Sequence, residues 1–166
     1  MMEDFMLYRV RQVWKALYPK ITPEEISWAA QILPCNAFTL FQTQSLTEQR
    51  HGLDVALDLA TKGIEDQNLL IAALIHDCGK IKYPLALWER ILIVFLQKAS
   101  PFWRETLLKR IPFLQNTWEI AEMHPQWGAE LASQYEINPL VVDLIRQHHS
   151  PISPEGIILY EADNRN

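Results

Sequence analysis

Only two cysteines and five glycines occur among the 166 residues of this chain. Cys35 and Cys78 are far apart, with no metal-ligand spacing between them, so a reducing compartment such as the cytoplasm is the natural expectation. Scarce glycine and short β-branched runs leave little material for sheets, and the pattern reads all-helical. No apolar run approaches the roughly 18 residues that a membrane span needs. One such run, Ile91 to Leu96, suits a buried helix. Met1-Met2-Glu3-Asp4 is acidic where a secretory leader would be basic. Cations are also short: 15 Lys and Arg stand against 20 Asp and Glu, a net charge of −5. A binder of nucleic-acid backbones needs the opposite sign, so neither a nucleic-acid polymer nor a membrane is expected as partner. A small anionic substrate fits if cations gather locally.

Apolar residues make up 49% of the chain, enough for one sizeable core, and the length suits one domain. Helix boundaries are marked by caps and prolines. Phe5 to Tyr18 carries Met6, Val10, Val13, Trp14 and Leu17 at helical spacing. Thr22-Pro23-Glu24-Glu25 starts a second helix, to about Leu33. Phe38 to Gln44 is a short helix or turn. Ser45-Leu46-Thr47-Glu48 is a capping box for a helix to Lys62. Asp66 caps the next, through about Asp77. Pro84 starts a helix to Lys98, Ser100-Pro101 one to about Lys109, and Pro112 one to about Met123. His124-Pro125 then reads as a cap and first position for a helix to Tyr135. Asn138-Pro139 and Ser153-Pro154 start the last two. The expected layout is N-terminal helices over 1–44 packed on a core over 45–166.

The chain is organised around Ala72-Ala73-Leu74-Ile75-His76-Asp77-Cys78-Gly79-Lys80. An aspartate can bridge two cations, and a neutral imidazole is a nitrogen ligand. Adjacent helical residues point about 100° apart, so this pair reaches one centre only if it lies close against the helix. Gly79 permits a left-handed turn that would stop the helix. Lys80 then projects a cation towards whatever the pair holds.

All five histidines fall at a helix end or on an inward face. His51 shares a stripe with Val55 and Leu59. His148 and His149 follow the core-like Leu144 and Ile145 by one turn. With Asp77 and Asp163, seven potential ligands lie on five helices. For a lone histidine a satisfied core position is the commoner case; five together change that balance.

The series His51, His76-Asp77-x-Gly79-Lys80, His124-Pro125-x-x-Gly128, His148-His149, Asp163 resembles the HD-domain superfamily of metal-dependent phosphohydrolases, in its subgroup with a dinuclear site. The resemblance runs from Ser45 to Asp163. It implies an all-α helical bundle of about eight to ten helices. It implies a first metal on His51, His76, Asp77 and Asp163, and a second on His124, His148 and His149 with Asp77 bridging. An imidazole-rich set favours two divalent transition metal ions, Fe or Mn first, with Ni, Co or Zn as options. The implied activity is hydrolysis of a phosphoester of a nucleotide or similar small molecule by a metal-bound hydroxide, with Asp77 and Lys80 as catalytic residues. Lys80, Arg50 and Arg146 are the candidates for substrate contact, although both arginines also read as solvated charges. Asp54, one turn from His51, reads equally as a partner for its ring or as a solvated group. Cys78 reads as a small buried apolar group. Trp88, Phe95, Phe102, Trp103 and Trp118 read first as core, and otherwise as the wall of a pocket for a base.

The Gly-Tyr-Pro that follows the paired histidines in the second-messenger branch is absent here; Ser-Pro-Ile-Ser-Pro-Glu-Gly stands in its place. Two rival readings keep the same residues. One is a di-iron oxygenase on the HD scaffold, separable by dependence on O₂. The other is a non-catalytic regulatory or binding protein. The expected partner is a small phosphorylated substrate, and a homodimer is compatible with the sequence.

Overall fold

Cap and proline signals translate directly into helices in the computed structural model, which describes residues 19–83 and 86–166. The helix expected over Phe5 to Tyr18 lies outside the described residues, as does Pro84. Thr22 accepts from the Glu25 N–H at 3.3 Å, and the Glu25 carboxylate accepts from the Thr22 N–H at 2.8 Å. That box opens α1, Pro23–Ile32. The next helices are α2 (Cys35–Thr43), α3 (Leu46–Thr61) and α4 (Gln67–Ile75). A 3-10 turn, Cys78–Lys82, follows α4. Then come α5 (Leu87–Lys98), α6 (Pro101–Arg110), α7 (Pro112–Gln134), α8 (Pro139–Gln147) and α9 (Pro154–Arg165). No strand occurs among the described residues, so the all-α expectation holds. No described helix is long and apolar enough to cross a membrane.

Helix α4 is the centre. Leu69 to Ile75 are all buried, so the helix is covered on every side, as its run of apolar residues requires. Burying each such leucine or isoleucine contributes about 1.5–3 kcal/mol. Around α4 lie α3, α8 and α9, with α1 and α2 adding Ala29, Leu33, Ala37, Leu40 and Phe41 to the same core. Gly52 lets α3 close on α4: a Cβ there would stand 2.5 Å from the Leu74 carbonyl oxygen. This close crossing brings the neighbouring His51 towards the end of α4.

Two expectations are corrected. The segments expected as separate helices before and after His124 form one helix, α7, with Pro125 inside it. His124 is therefore a mid-helix residue and not a cap. A proline inside a helix lacks an N–H and crowds the preceding turn, which normally costs about 3 kcal/mol. Here Pro125 is buried, and α7 is held along its length by the 3-10 turn and by α8. Packing overrides the local signal. The second correction concerns Gly79, which does not adopt the left-handed conformation; among described glycines only Gly63 has positive φ. Gly79 serves close approach instead. A Cβ there would lie 2.0 Å from the His124 carbonyl oxygen and 2.6 Å from the Gly128 nitrogen. Its bare backbone seats the 3-10 turn on α7.

Helices α5 and α6 stand apart from this core. Ile93, Ile120 and Ala121 form a separate small cluster with Trp127 against it. Helix α6 has no buried residue. Phe95, Phe102 and Trp103 are 69, 72 and 62% exposed. The aromatic residues read first as core therefore face solvent in part, although Trp88 stacks on Phe113 and Arg104 lies over Trp118.

Candidate metal centre

The α-helical part of α4 stops at Ile75, and the chain turns through His76 and Asp77 into the 3-10 turn. That change of winding lets two adjacent side chains face one centre. The His76 Nδ1–H donates to the Ala73 carbonyl at 2.9 Å. The same device recurs twice. His148 Nδ1 meets the Ile145 carbonyl at 2.7 Å and His124 Nδ1 meets the Ile120 carbonyl at 3.3 Å. A carbonyl oxygen can only accept, so in each ring a proton sits on Nδ1 and Nε2 is the nitrogen left to face the centre. Three rings are thus fixed in the orientation that turns Nε2 to a metal ion.

Those Nε2 atoms converge. His124 Nε2 stands 3.2 Å from His148 Nε2. Asp77 is buried between two groups and offers each a different oxygen. Its Oδ1 lies 3.1 Å from His124 Nε2 and 3.8 Å from His148 Nε2. Its Oδ2 lies 3.7 Å from His76 Nε2 and 3.9 Å from His51 Nε2. Asp163, on α9, brings its Oδ1 to 2.7 Å from His51 Nε2 and 3.5 Å from His76 Nε2. His149 completes the second group, its ring 4.6 Å from that of His124 and 4.3 Å from that of His148. His149 alone of the seven stands exposed, at the rim.

Acceptors facing acceptors at these distances repel unless a proton or a cation lies between them. His76 Nε2 is buried and has no hydrogen-bond partner. The donor set therefore fits a metal ion. Two groups meet the spacing, His51/His76/Asp77 and His124/His148/His149, each with ligand atoms within 4.8 Å of one another.

Protonation states agree. Burial would raise the Asp77 carboxyl, but Lys80, His76 and His124 hold it well below the usual carboxylate range. Asp163 is likewise lowered against burial by its bonds to His51 and His76. Burial, then the neighbouring His76, His149 and His124, push His148 down, so it is neutral. His149 keeps some contact with solvent, yet desolvation among its neighbours, then His124, push it down to about 4. His76 is the opposite case. Burial acts to lower it, but Asp77 and Asp163 outweigh that and raise it to about 9. In the metal-free site His76 carries the proton that a metal would displace.

The other candidates lie as follows. Lys80 Nζ is 2.6 Å from Asp77 Oδ2, against the carboxylate that lies between the two histidine groups. Arg50 is buried, its guanidinium held by Glu25 at 2.7 Å, Asp54 at 3.1 Å and the Lys20 carbonyl at 3.2 Å. It ties α3 to α1, and Asp54 is engaged with it. Arg146 is exposed and pairs with Asp143 on its own helix. Cys78 is buried, its thiol 3.5 Å from the Gly128 carbonyl, and burial pushes its pKa up.

Sequence reasoning missed Glu48. It reads there as the outer member of a capping box. In the structure Ser45 does accept from the Glu48 N–H, but its hydroxyl also donates to the Glu48 carboxylate at 3.0 Å. That carboxylate is 2% exposed and takes Arg90 at 2.8 Å. One signal was available: Glu48 lies three residues before His51, on the same side of α3. The ion pair with Arg90, across 42 residues, left no trace in the sequence.

No curated protein and no solved structure matches the chain significantly. A family model does: the HD domain matches residues 49–165, which takes in all seven of these residues. The chain belongs to the HD-domain family.

Proposed function

We propose that the protein is a metal-dependent phosphohydrolase, acting on a nucleotide or a related small phosphoester with two divalent transition metal ions. The observation that carries this reading is Asp77, whose two oxygens face two separate imidazole groups. His51, His76 and Asp163 would hold one ion with Asp77 Oδ2; His124, His148 and His149 would hold the other with Asp77 Oδ1. Such ions, when bound, supply Lewis acidity at a phosphoryl oxygen and lower the pKa of water.

The chain's own residues do the rest. Five imidazoles and two carboxylates give a formal ligand charge of only −2, so with two divalent ions the site would stay cationic and would attract a phosphoester. The backbone acceptors on His76, His124 and His148 keep the rings from rotating as charge changes nearby. Lys80, which lies on Asp77, would hold a phosphate oxygen. His149, at the rim, borders the path by which substrate enters. Fe and Mn are favoured over Mg because imidazole nitrogen is a poor ligand for the hard, octahedral Mg ion.

The test is elemental analysis of protein purified without chelator or a histidine tag, followed by a nucleotide and phosphodiester panel. Two transition ions per chain and phosphate release under anaerobic conditions are expected. Turnover that requires O₂ would replace this reading with a di-iron oxygenase. A metal-loaded protein inert to the whole panel would point to a regulatory role.

A further inference from the structure

Lys80 occupies a contested position. Its ammonium sits on Asp77 Oδ2, the oxygen that faces His51 and His76. A dication held by those same side chains would repel that ammonium at close range. Lys80 therefore has to move off Asp77, or the metal binds weakly. Within reach is one other acceptor, Glu48 Oε1, at 3.8 Å from the Lys80 nitrogen. That oxygen is buried and makes no hydrogen bond. Its twin, Oε2, is fixed by Arg90 at 2.8 Å and by the Ser45 hydroxyl at 3.0 Å. The carboxylate is thus clamped on one side and open on the side facing Lys80. An open, buried acceptor is costly unless a donor arrives in some state of the protein.

We propose that Glu48 is a positioning residue that takes Lys80 off the bridging Asp77 when metal binds. The ammonium then lies between Glu48 and the metal centre, and its remaining N–H groups are free for a substrate oxygen. Glu48 acts through Lys80 and touches neither metal nor substrate. The cleft lined by Gln44, Ser45, Glu48, Lys80, Ile81 and Arg90 gives Lys80 the room to swing. The inference rests on the metal-site half of the proposed function and not on the identity of the substrate.

The test is a double-mutant cycle read as Mn(II) affinity, by competition with a chelator and without substrate. Lys80→Met removes the competing cation, and metal should bind about tenfold tighter. Glu48→Gln removes the alternative partner, leaves Lys80 on Asp77, and should weaken Mn(II) binding about tenfold. In the Lys80→Met background, Glu48→Gln should have little further effect. Equal losses from Glu48→Gln in both backgrounds would mean a merely structural role and would overturn the proposal. If Glu48→Gln does not fold, Lys80→Met still decides: unchanged or weaker Mn(II) affinity overturns it. A protein that shows this coupling but is inert to phosphoesters overturns only the phosphohydrolase reading. One that hydrolyses them without the coupling overturns only this one.

Discussion

The end of α4 and the α5–α6 pair both carry large apolar side chains and treat them in opposite ways. Around α4, every apolar residue from Leu69 to Ile75 is buried, and the histidines attached to this core are fixed through backbone carbonyls. In α6 nothing is buried, and three aromatic rings near the α5–α6 corner face solvent. The first region gains geometry from its packing, because a ring bonded to the chain's own backbone cannot drift. The second has side chains whose positions the rest of the chain does not dictate. Chemistry that needs ligand atoms placed within tenths of an ångström belongs to the first.

The contrast can be broken at several points. The largest effect is expected from Asp77→Ala, which removes the one group shared by both histidine sets. Metal content, measured by elemental analysis, should fall from two ions to near zero; retention of both would sink the bridging assignment. Next is Gly79→Ala, which puts a methyl group 2.0 Å from the His124 carbonyl oxygen. The 3-10 turn could not seat on α7, and a loss on the order of 3 kcal/mol is expected in denaturant unfolding. An unaltered midpoint would mean that the turn and α7 are less tightly joined than described.

A smaller effect concerns pH. His76 holds its proton up to about 9 in the metal-free site, so metal uptake near neutral pH must expel it. Calorimetric titration in buffers of different ionisation enthalpy should show about one proton released per chain, and affinity should rise with pH until about 9. The sign also governs the metal-free fold. A raised histidine pKa adds stability that is complete below its ordinary value near 6.5 and is lost as pH climbs through about 9. The lowered Asp163 contributes above its ordinary value near 3.8 and is lost as pH falls through its lower native value. Smallest of all should be Phe102→Ser on α6, within about 0.5 kcal/mol by thermal unfolding and with metal content unchanged. A large loss there would show that α6 is packed after all.

The same contrast marks how far the sequence could be read. Thr22, Ser45, Asp66, Asn138 and Ser153 each cap where their residue types indicate, because capping is a contact between residues two or three apart. The histidine series was legible because its order along the chain is itself a pattern. Pro125 was misread because a local rule for helix starts met a long-range one: the 3-10 turn and α8 pack on α7, which continues through it. Gly79 was assigned the wrong property, since glycine serves both turns and close approach, and only the position of the His124 carbonyl decides between them. Glu48 had only its spacing to His51 to mark it, because its partners, Lys80 and Arg90, come from elements that no spacing rule connects to α3.

His51 and Asp163 meet across 112 positions of chain, and His76, His124 and His148 fall between them. Closing a loop of that length costs an unfolded polypeptide several kcal/mol of freedom. Ions shared among these side chains would act as cross-links drawn through α3, α4, α7, α8 and α9 at once. Global unfolding would then require their release, and a chelator should accelerate denaturation of the whole molecule although it attacks only this one site.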